Sequence, residues 1–345
     1  MKIDEVMKDF NKKHKEDLVH TGISKYDYER IPFTSYRLNY MSFGGLPVGK
    51  LIEFYGEEHG GKTTTALDVV ASYQQNYDRK VLWVDCENTL DAVWATKLKV
   101  DVEDMIIFNP TNQGAETIFQ FVLDMIDTGE IGLVVVDSFG VMVSNQAMEK
   151  TVEDKTYGGI SMALTQFSDK AVGLCQRHQC TFIGINQLRD DLNSMWGGTK
   201  TVGGRGWRHN VSARIEFSKG KYVDDKGNEL NKNAENPAGN IIMAKMIKNK
   251  TCPPTRRMES YTIKYMSGID YFSDLIEMAT QFEVIDKSGA WYTIIDKSTG
   301  EIVEKLQGKA SVVELLQTDT ALLELVEHQT SAELENSIKQ ALCTL

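Results

Sequence analysis

Residues 51–76 read LIEFYGEEHGGKTTTALDVVASYQQN. Leu51-Ile52-Glu53-Phe54-Tyr55 predicts a strand, and 63–76 predicts a helix. Between them, Gly56-Glu57-Glu58-His59-Gly60-Gly61-Lys62-Thr63 fits G-x-x-x-x-G-K-[ST]. Glycines at these places let backbone N–H groups curl around phosphate oxygens. Lys62 then reaches the terminal phosphates, and the Thr63 hydroxyl is a ligand for Mg²⁺. The helix that opens here, with Thr64 in its first turn, aims its positive end at the same phosphates. The alternative is a glycine-rich turn with no ligand; a strand before and a helix after favour the phosphate loop.

Outward from this loop, short β-branched runs alternate with helical stretches. Strands are expected over 80–84, 105–108, 132–136 and 180–185, and helices over 90–99, 115–127 and 161–178. Further strands fall near 211–218, 239–247 and 259–265. This alternation describes βαβ units and a mostly parallel sheet covered by helices on both faces, an α/β fold. Around Gly268 the texture changes. A helix over 271–281, a β-turn segment with Trp291-Tyr292 and a Thr299-Gly300 turn, and helices over 311–342 form a small α/β appendage. Residues 3–17 carry Ile3, Val6, Met7 and Phe10 at helical spacing. That face packs on its own domain or docks on a neighbouring subunit.

Several strand ends carry chemistry. Val134-Val135-Val136-Asp137-Ser138 delivers a carboxylate to the C-terminal edge of a buried strand, where it can hold Mg²⁺ opposite Thr63. Asp85-Cys86-Glu87 ends another strand; Glu87 is either a base for an attacking water or a cap for the next helix. Asn186-Gln187 closes a third strand and opens 188–210, a stretch with five glycines and no hydrophobic period. A loop of this length is functional or a surface lid. Arg189, Lys200, Arg205 and Arg208 offer phosphate partners, Leu192, Met195 and Trp196 offer wedges or stacking surfaces for bases, and Gly203 and Gly204 lie among them. A second irregular segment, 144–159, ends in Tyr157-Gly158-Gly159. Lys245, Lys248, Lys250, Arg256 and Arg257 crowd into thirteen residues, either as phosphate partners or as lysines guarding an edge strand.

The chain has 345 residues and a formal net charge of −11. No apolar run reaches the roughly 18 residues of a membrane span, and the N-terminus has no apolar core of a signal peptide. Five cysteines without a CxxC indicate neither a disulfide framework nor a zinc site, so a reducing cytoplasm is expected. The acidic total argues against a nucleic-acid partner only until it is resolved along the chain. Residues 186–264 hold 15 Lys+Arg against 8 Asp+Glu, which leaves −18 on the rest. The acidic surface therefore lies away from the basic segment.

These motifs, in order from about Gly44 to Gln317, resemble the RecA family of DNA recombinases. Gly44-Gly45-Leu46-Pro47-Val48-Gly49 resembles the family's lead-in, 85–91 its catalytic-glutamate segment, 134–138 its Mg²⁺ strand, and Ile185-Asn186-Gln187-Leu188-Arg189 its γ-phosphate sensor. Ser288-Gly289-Ala290-Trp291-Tyr292 and Gly308-Lys309-Ala310 resemble its C-terminal domain. The resemblance implies an N-terminal docking helix and linker (1–30), a RecA-type P-loop ATPase core (31–268) and a C-terminal domain (269–345). It also implies ATP with Mg²⁺, and DNA loops at 144–159 and 188–206. Lys62, Glu87 and Gln187 would act in catalysis, Asp91, Trp94 and Tyr265 would border adenine, and Lys248 and Lys250 would reach the ATP of the adjoining protomer. The implied activity is DNA-dependent ATP hydrolysis in helical filaments on single-stranded DNA that pair with homologous duplex. Loaders and single-strand-binding proteins are the implied further partners.

The sequence also departs from the family pattern. Trp94 stands where the family usually has Tyr, and His209 where it has another aromatic. Asp190 and Asp191 place negative charge in the second loop, from which one residue is missing. These divergences resemble those between cellular and phage-encoded members. Two rival readings are a ring-forming motor ATPase and an ATP-binding mediator without strand exchange.

Overall fold

The computed structural model describes residues 2–14, 19, 28–150, 159–190, 198–231 and 233–343. The chain opens with α1 (Ile3–His14), β1 (Arg30–Ile31), α2 (Tyr36–Ser42) and β2 (Leu46–Pro47). The alternating core follows as β3 (Leu51–Gly56), α3 (Lys62–Asn76), β4 (Lys80–Asp85), α4 (Ala92–Lys97), β5 (Met105–Phe108), α5 (Ala115–Asp127) and β6 (Ile131–Asp137). It continues as α6 (Asn145–Met148), α7 (Ser161–His178), β7 (Thr181–Asp190), β8 (Thr199–Thr201) and α8 (Gly204–Asn210). Next come β9 (Ala213–Val223), β10 (Glu229–Leu230), β11 (Gly239–Asn249), β12 (Met258–Lys264) and β13 (Gly268–Ile269).

The main path through the large sheet is β13-β12-β11-β9-β3-β7-β6-β4-β5. It is parallel from β9 to β5 and antiparallel from β9 to β13. Side chains alternate between its faces, as a strand's two-residue period requires. Phe54, Trp83, Leu133 and Ile183 pack on the α3 side, while Leu82, Val134, Phe182 and Phe119 pack on the α5–α7 side. Both faces are dry, which explains why these strands read as near-continuous apolar runs.

α9 (Tyr271–Gln281), strands β14 (Ile285–Ser288), β15 (Trp291–Asp296) and β16 (Glu301–Gln307), α10 (Lys309–Thr318) and α11 (Thr320–Cys343) complete the chain. The three strands form an antiparallel sheet whose buried residues join a third core with Leu275, Val312 and Val326. The Thr299-Gly300 turn joins β15 to β16 as the hairpin that its sequence suits, and β14 adds a third strand. On α1, Ile3 is 76% and Val6 48% exposed.

Two expectations need correction. The stretch 188–210 is not irregular to its end: β7 runs on to Asp190, β8 pairs with it, and α8 follows. Tertiary packing makes α8 despite its glycines, because Trp207 is buried edge-on against Phe139 and Phe182. Gly206 permits this approach, since a Cβ there would lie 2.5 Å from the Thr165 side chain. The lysines of 245–250 do not guard an edge either. β11 lies between β9 and β12.

Candidate nucleotide and nucleic-acid site

The parallel register brings the chemistry to one edge of the sheet. Gly56 at the end of β3 pairs with Gln187 on β7, and Asp85 on β4 pairs with Asp137 on β6. At Gly56 a Cβ would lie 1.9 Å from the Phe217 carbonyl oxygen, so only glycine lets the loop leave the sheet here. The loop turns through left-handed His59 and Gly61 into α3. Lys62 is buried, and its Nζ donates to the carbonyls of Gly56 (3.0 Å) and Glu57 (2.6 Å). Burial lowers its pKa, opposed by the charges of Asp137 and Glu87.

Thr63 Oγ1 donates to Asp137 Oδ2 at 2.8 Å. Desolvation pushes the buried Asp137 up to about 6; the Thr63 hydrogen bond opposes this shift, while the Glu87 and Asp85 charges add to it. A carboxylate held at that cost beside a hydroxyl fits a hard divalent cation such as Mg²⁺. No cluster of three or more His, Cys, Asp or Glu suited to a metal occurs among the described residues.

Glu87 is not a helix cap. The cap of α4 is Asp91, whose Oδ1 accepts from Val93 N (2.8 Å) and Trp94 N (3.0 Å). Asp85 shapes the turn by accepting from Thr89 N and Leu90 N. Glu87 Oε1 is left to accept from Ser138 Oγ and from Gln187 Nε2, the latter at 2.9 Å. The sequence reading did not assign Ser138 a role, although it directly follows Asp137. Gly140 gives Gln187 room, since a Cβ there would lie 2.8 Å from Oε1.

Beside the loop lies a cleft of about 470 Å³ lined by residues 59–64, Trp94 and Tyr265, together with Lys219, Asn240, Ile242 and Ile263. Asp91, Gly56, Glu57 and Glu58 do not line it. Lys219 and Asn240 were missed because nothing in their local pattern marks them; the antiparallel pairing of β9 with β11 carries them here. A second cleft of about 720 Å³ lies along residues 140–144, 159–161 and 200–204, with Arg189 and Arg208 on its wall. Arg189 Nη2 donates to the Gly140 carbonyl, and Arg208 Nε to the Gly204 carbonyl at 2.9 Å. Lys200, Gly203 and Gly204 line this cleft, whereas Arg205 is exposed outside it. Tyr157, Gly158, Leu192, Met195 and Trp196 lie outside the described residues.

Residues 1–270 match the family model for the RecA N-terminal domain, and residues 273–341 match that for the RecA C-terminal domain. The chain belongs to the RecA family. It is 31% identical over 277 residues to Protein RecA of Ruminococcus albus, covering 80% of this chain and 67% of that one. Against Protein RecA of Fusobacterium nucleatum it is 31% identical over 288 residues, covering 83% of this chain and 73% of the relative. Among solved structures, a RadB recombinase is similar with a TM-score of 0.49 and 20% identity, over 68% of this chain and 96% of that one.

In this RecA-family chain Lys248, near the end of β11, and Lys250, just past it, do not line the candidate nucleotide cleft. Lys248 Nζ donates to the carbonyls of Arg208 (2.6 Å) and His209 (2.9 Å), and Lys250 Nζ to that of His209 (2.6 Å). They neutralise the negative C-terminal end of α8, the helix that begins at the second cleft. Burial first, then the charge of Lys250, depresses Lys248 to about 8. Arg256, the fourth cation of that run, reaches no cleft. Its guanidinium stacks on Tyr40 and Phe43 and donates to Ser337. No described helix is long and apolar enough to cross a membrane.

Proposed function

We propose that this chain is an ATP-dependent DNA recombinase that assembles on single-stranded DNA as a helical filament and pairs it with homologous duplex. One observation carries the reading: Gln187 Nε2 bonds Glu87 Oε1 at the sheet edge that also holds Lys62, Thr63 and Asp137. The strand bearing Gln187 runs on into the basic segment, so hydrolytic and strand-binding groups share one element.

ATP with Mg²⁺ supplies the phosphoanhydride and the charge that this edge would handle. Lys62 and the loop amides bind the phosphates, with Thr64 in the first turn of α3, and Thr63 and Asp137 hold the cation. Trp94 and Tyr265 border the base. Glu87 accepts the proton of the attacking water, oriented by Ser138. Gln187 is the group that reports on the terminal phosphate. Positioning and charge stabilisation supply most of the rate in such transfers. Lys248 and Lys250 act on the nucleotide of the adjoining protomer, which makes hydrolysis depend on assembly. α1, through Ile3 and Val6, docks on that neighbour, and the basic segment 189–208 carries the DNA. The C-terminal part, 269–345, stands beside this core as a separate small domain in the bacterial or phage-infected cytoplasm.

Electron microscopy with ATP and single-stranded DNA, paired with a joint-molecule assay, tests this. Helical filaments and joint molecules are expected. Rings would favour a motor ATPase, and filaments without joint molecules a mediator.

A further inference from the structure

Beneath the candidate site lies a buried polar network that no reading of the motifs called for. Glu53, in the middle of β3, is fully buried. Its Oε2 accepts from Arg214 Nε on β9, and its Oε1 accepts from Asn186 Nδ2 on β7 at 2.8 Å. Arg214 also lies over the Tyr55 ring and donates through Nη2 to Thr201 Oγ1 at 3.3 Å. A carboxylate in the centre of a sheet is expensive unless fully paired, and an apolar pair of the same shape would often serve stability as well. The network therefore invites a role beyond stability.

Asn186 shows what that role is. Its Nδ2 donates to the Val202 carbonyl at 2.9 Å, and its Oδ1 accepts from the Val202 amide at 3.3 Å. The side-chain amide thereby stands in for one more rung of strand pairing, one residue past the end of β8. The same Oδ1 accepts from the backbone amide of Gln187 at 3.0 Å. One oxygen thus ties the residue that touches Glu87 to the point where the 188–206 segment rejoins the core. Just beyond it, Gly203 and Gly204 turn left-handed into α8.

We infer, on the reading that this segment carries single-stranded DNA, that Glu53, Asn186 and Arg214 are positioning residues that fix its return point. They hold Val202 in register with Gln187, so that DNA on the segment is felt at Glu87. None of the three lines the nucleotide cleft.

The test uses the full chain with Asn186→Ala and, at a less buried position, Thr201→Val. For Asn186→Ala, the single-stranded DNA needed for half-maximal ATP hydrolysis should rise about tenfold. Binding of a fluorescent ATP analogue should stay within about twofold of wild type. Hydrogen exchange over 198–204 should quicken. Thr201→Val should shift the DNA requirement the same way, by about threefold, and it reads the network even where Asn186→Ala does not fold. An unchanged DNA requirement in the variants that fold, or nucleotide binding lost in parallel with it, overturns the inference. If the wild-type chain shows no DNA-stimulated hydrolysis, the functional reading falls, and unchanged exchange at 198–204 would still refute the anchor separately.

Discussion

The edge proposed for nucleotide and the side proposed for the DNA strand are built differently. At the nucleotide edge, the acidic and polar groups bond mainly one another: Thr63 to Asp137, Ser138 and Gln187 to Glu87. On the other side, the cations of the second cleft bond backbone carbonyls: Arg189 to Gly140 and Arg208 to Gly204. Groups locked by their partners are poised for chemistry that tolerates little displacement. Cations resting on carbonyls exchange one oxygen for another at low cost, which suits capture of a phosphate backbone.

The largest effect that would break this contrast is at Lys62. Lys62→Ala should lower ATP affinity by about a hundredfold or more, in the range expected when a buried charged contact to phosphate is lost. Titration with a fluorescent nucleotide reads this, and retained affinity would remove the nucleotide edge from the account. Lys248→Ala comes next. Nucleotide binding should persist, while DNA-stimulated turnover falls about tenfold or more, as for loss of one group stabilising transition-state charge. Because Lys248 titrates near 8, its ammonium is present below that pH and lost above it. The wild-type DNA-stimulated rate should therefore decline from pH 7.5 to 9, and that decline should vanish in the variant.

A smaller effect follows from Asp137, held near 6. Its folded-state pKa is raised, so burying it protonated favours the fold at low pH, and that contribution is lost as the pH rises through 6. Cation binding has the opposite sense, because it needs the carboxylate. Mg²⁺ affinity in the nucleotide complex should rise about fourfold from pH 5.5 to 7.5, following the ionised fraction. Calorimetry at the two pH values checks it, and a flat profile would move the cation away from Asp137. The smallest effect belongs to exposed Arg205. Arg205→Ala should weaken single-stranded DNA binding a few-fold and flatten its salt dependence by about one counterion. Fluorescence anisotropy at several salt concentrations measures both.

The alternating core was legible because most of its strand positions are apolar and its helices carry a period of 3.6: α5, α7, α9 and β5 fall on their expected ranges. That the 56–63 loop, Asp137 and Glu87 share one edge was legible because each lies at a strand end of a parallel sheet. α8 was not, because four of its seven residues are basic or polar, two are glycine, and only Trp207 is buried. Its stability comes from Phe139 and Phe182, both more than twenty residues earlier in the chain. Asn240 and Lys219 were hidden for a related reason: an antiparallel strand register, not a motif, brings them to the cleft. The choice for Glu87 between base and cap was decided by Asp91, whose capping bonds depend on backbone angles that spacing alone does not fix.

The central claim is that hydrolysis at the Glu87 edge answers to DNA on the basic side. ATP hydrolysis by the wild-type chain, measured with and without single-stranded DNA, tests it most directly. The account predicts at least a tenfold stimulation that Lys248→Ala abolishes. Hydrolysis at the same rate with and without DNA would contradict it.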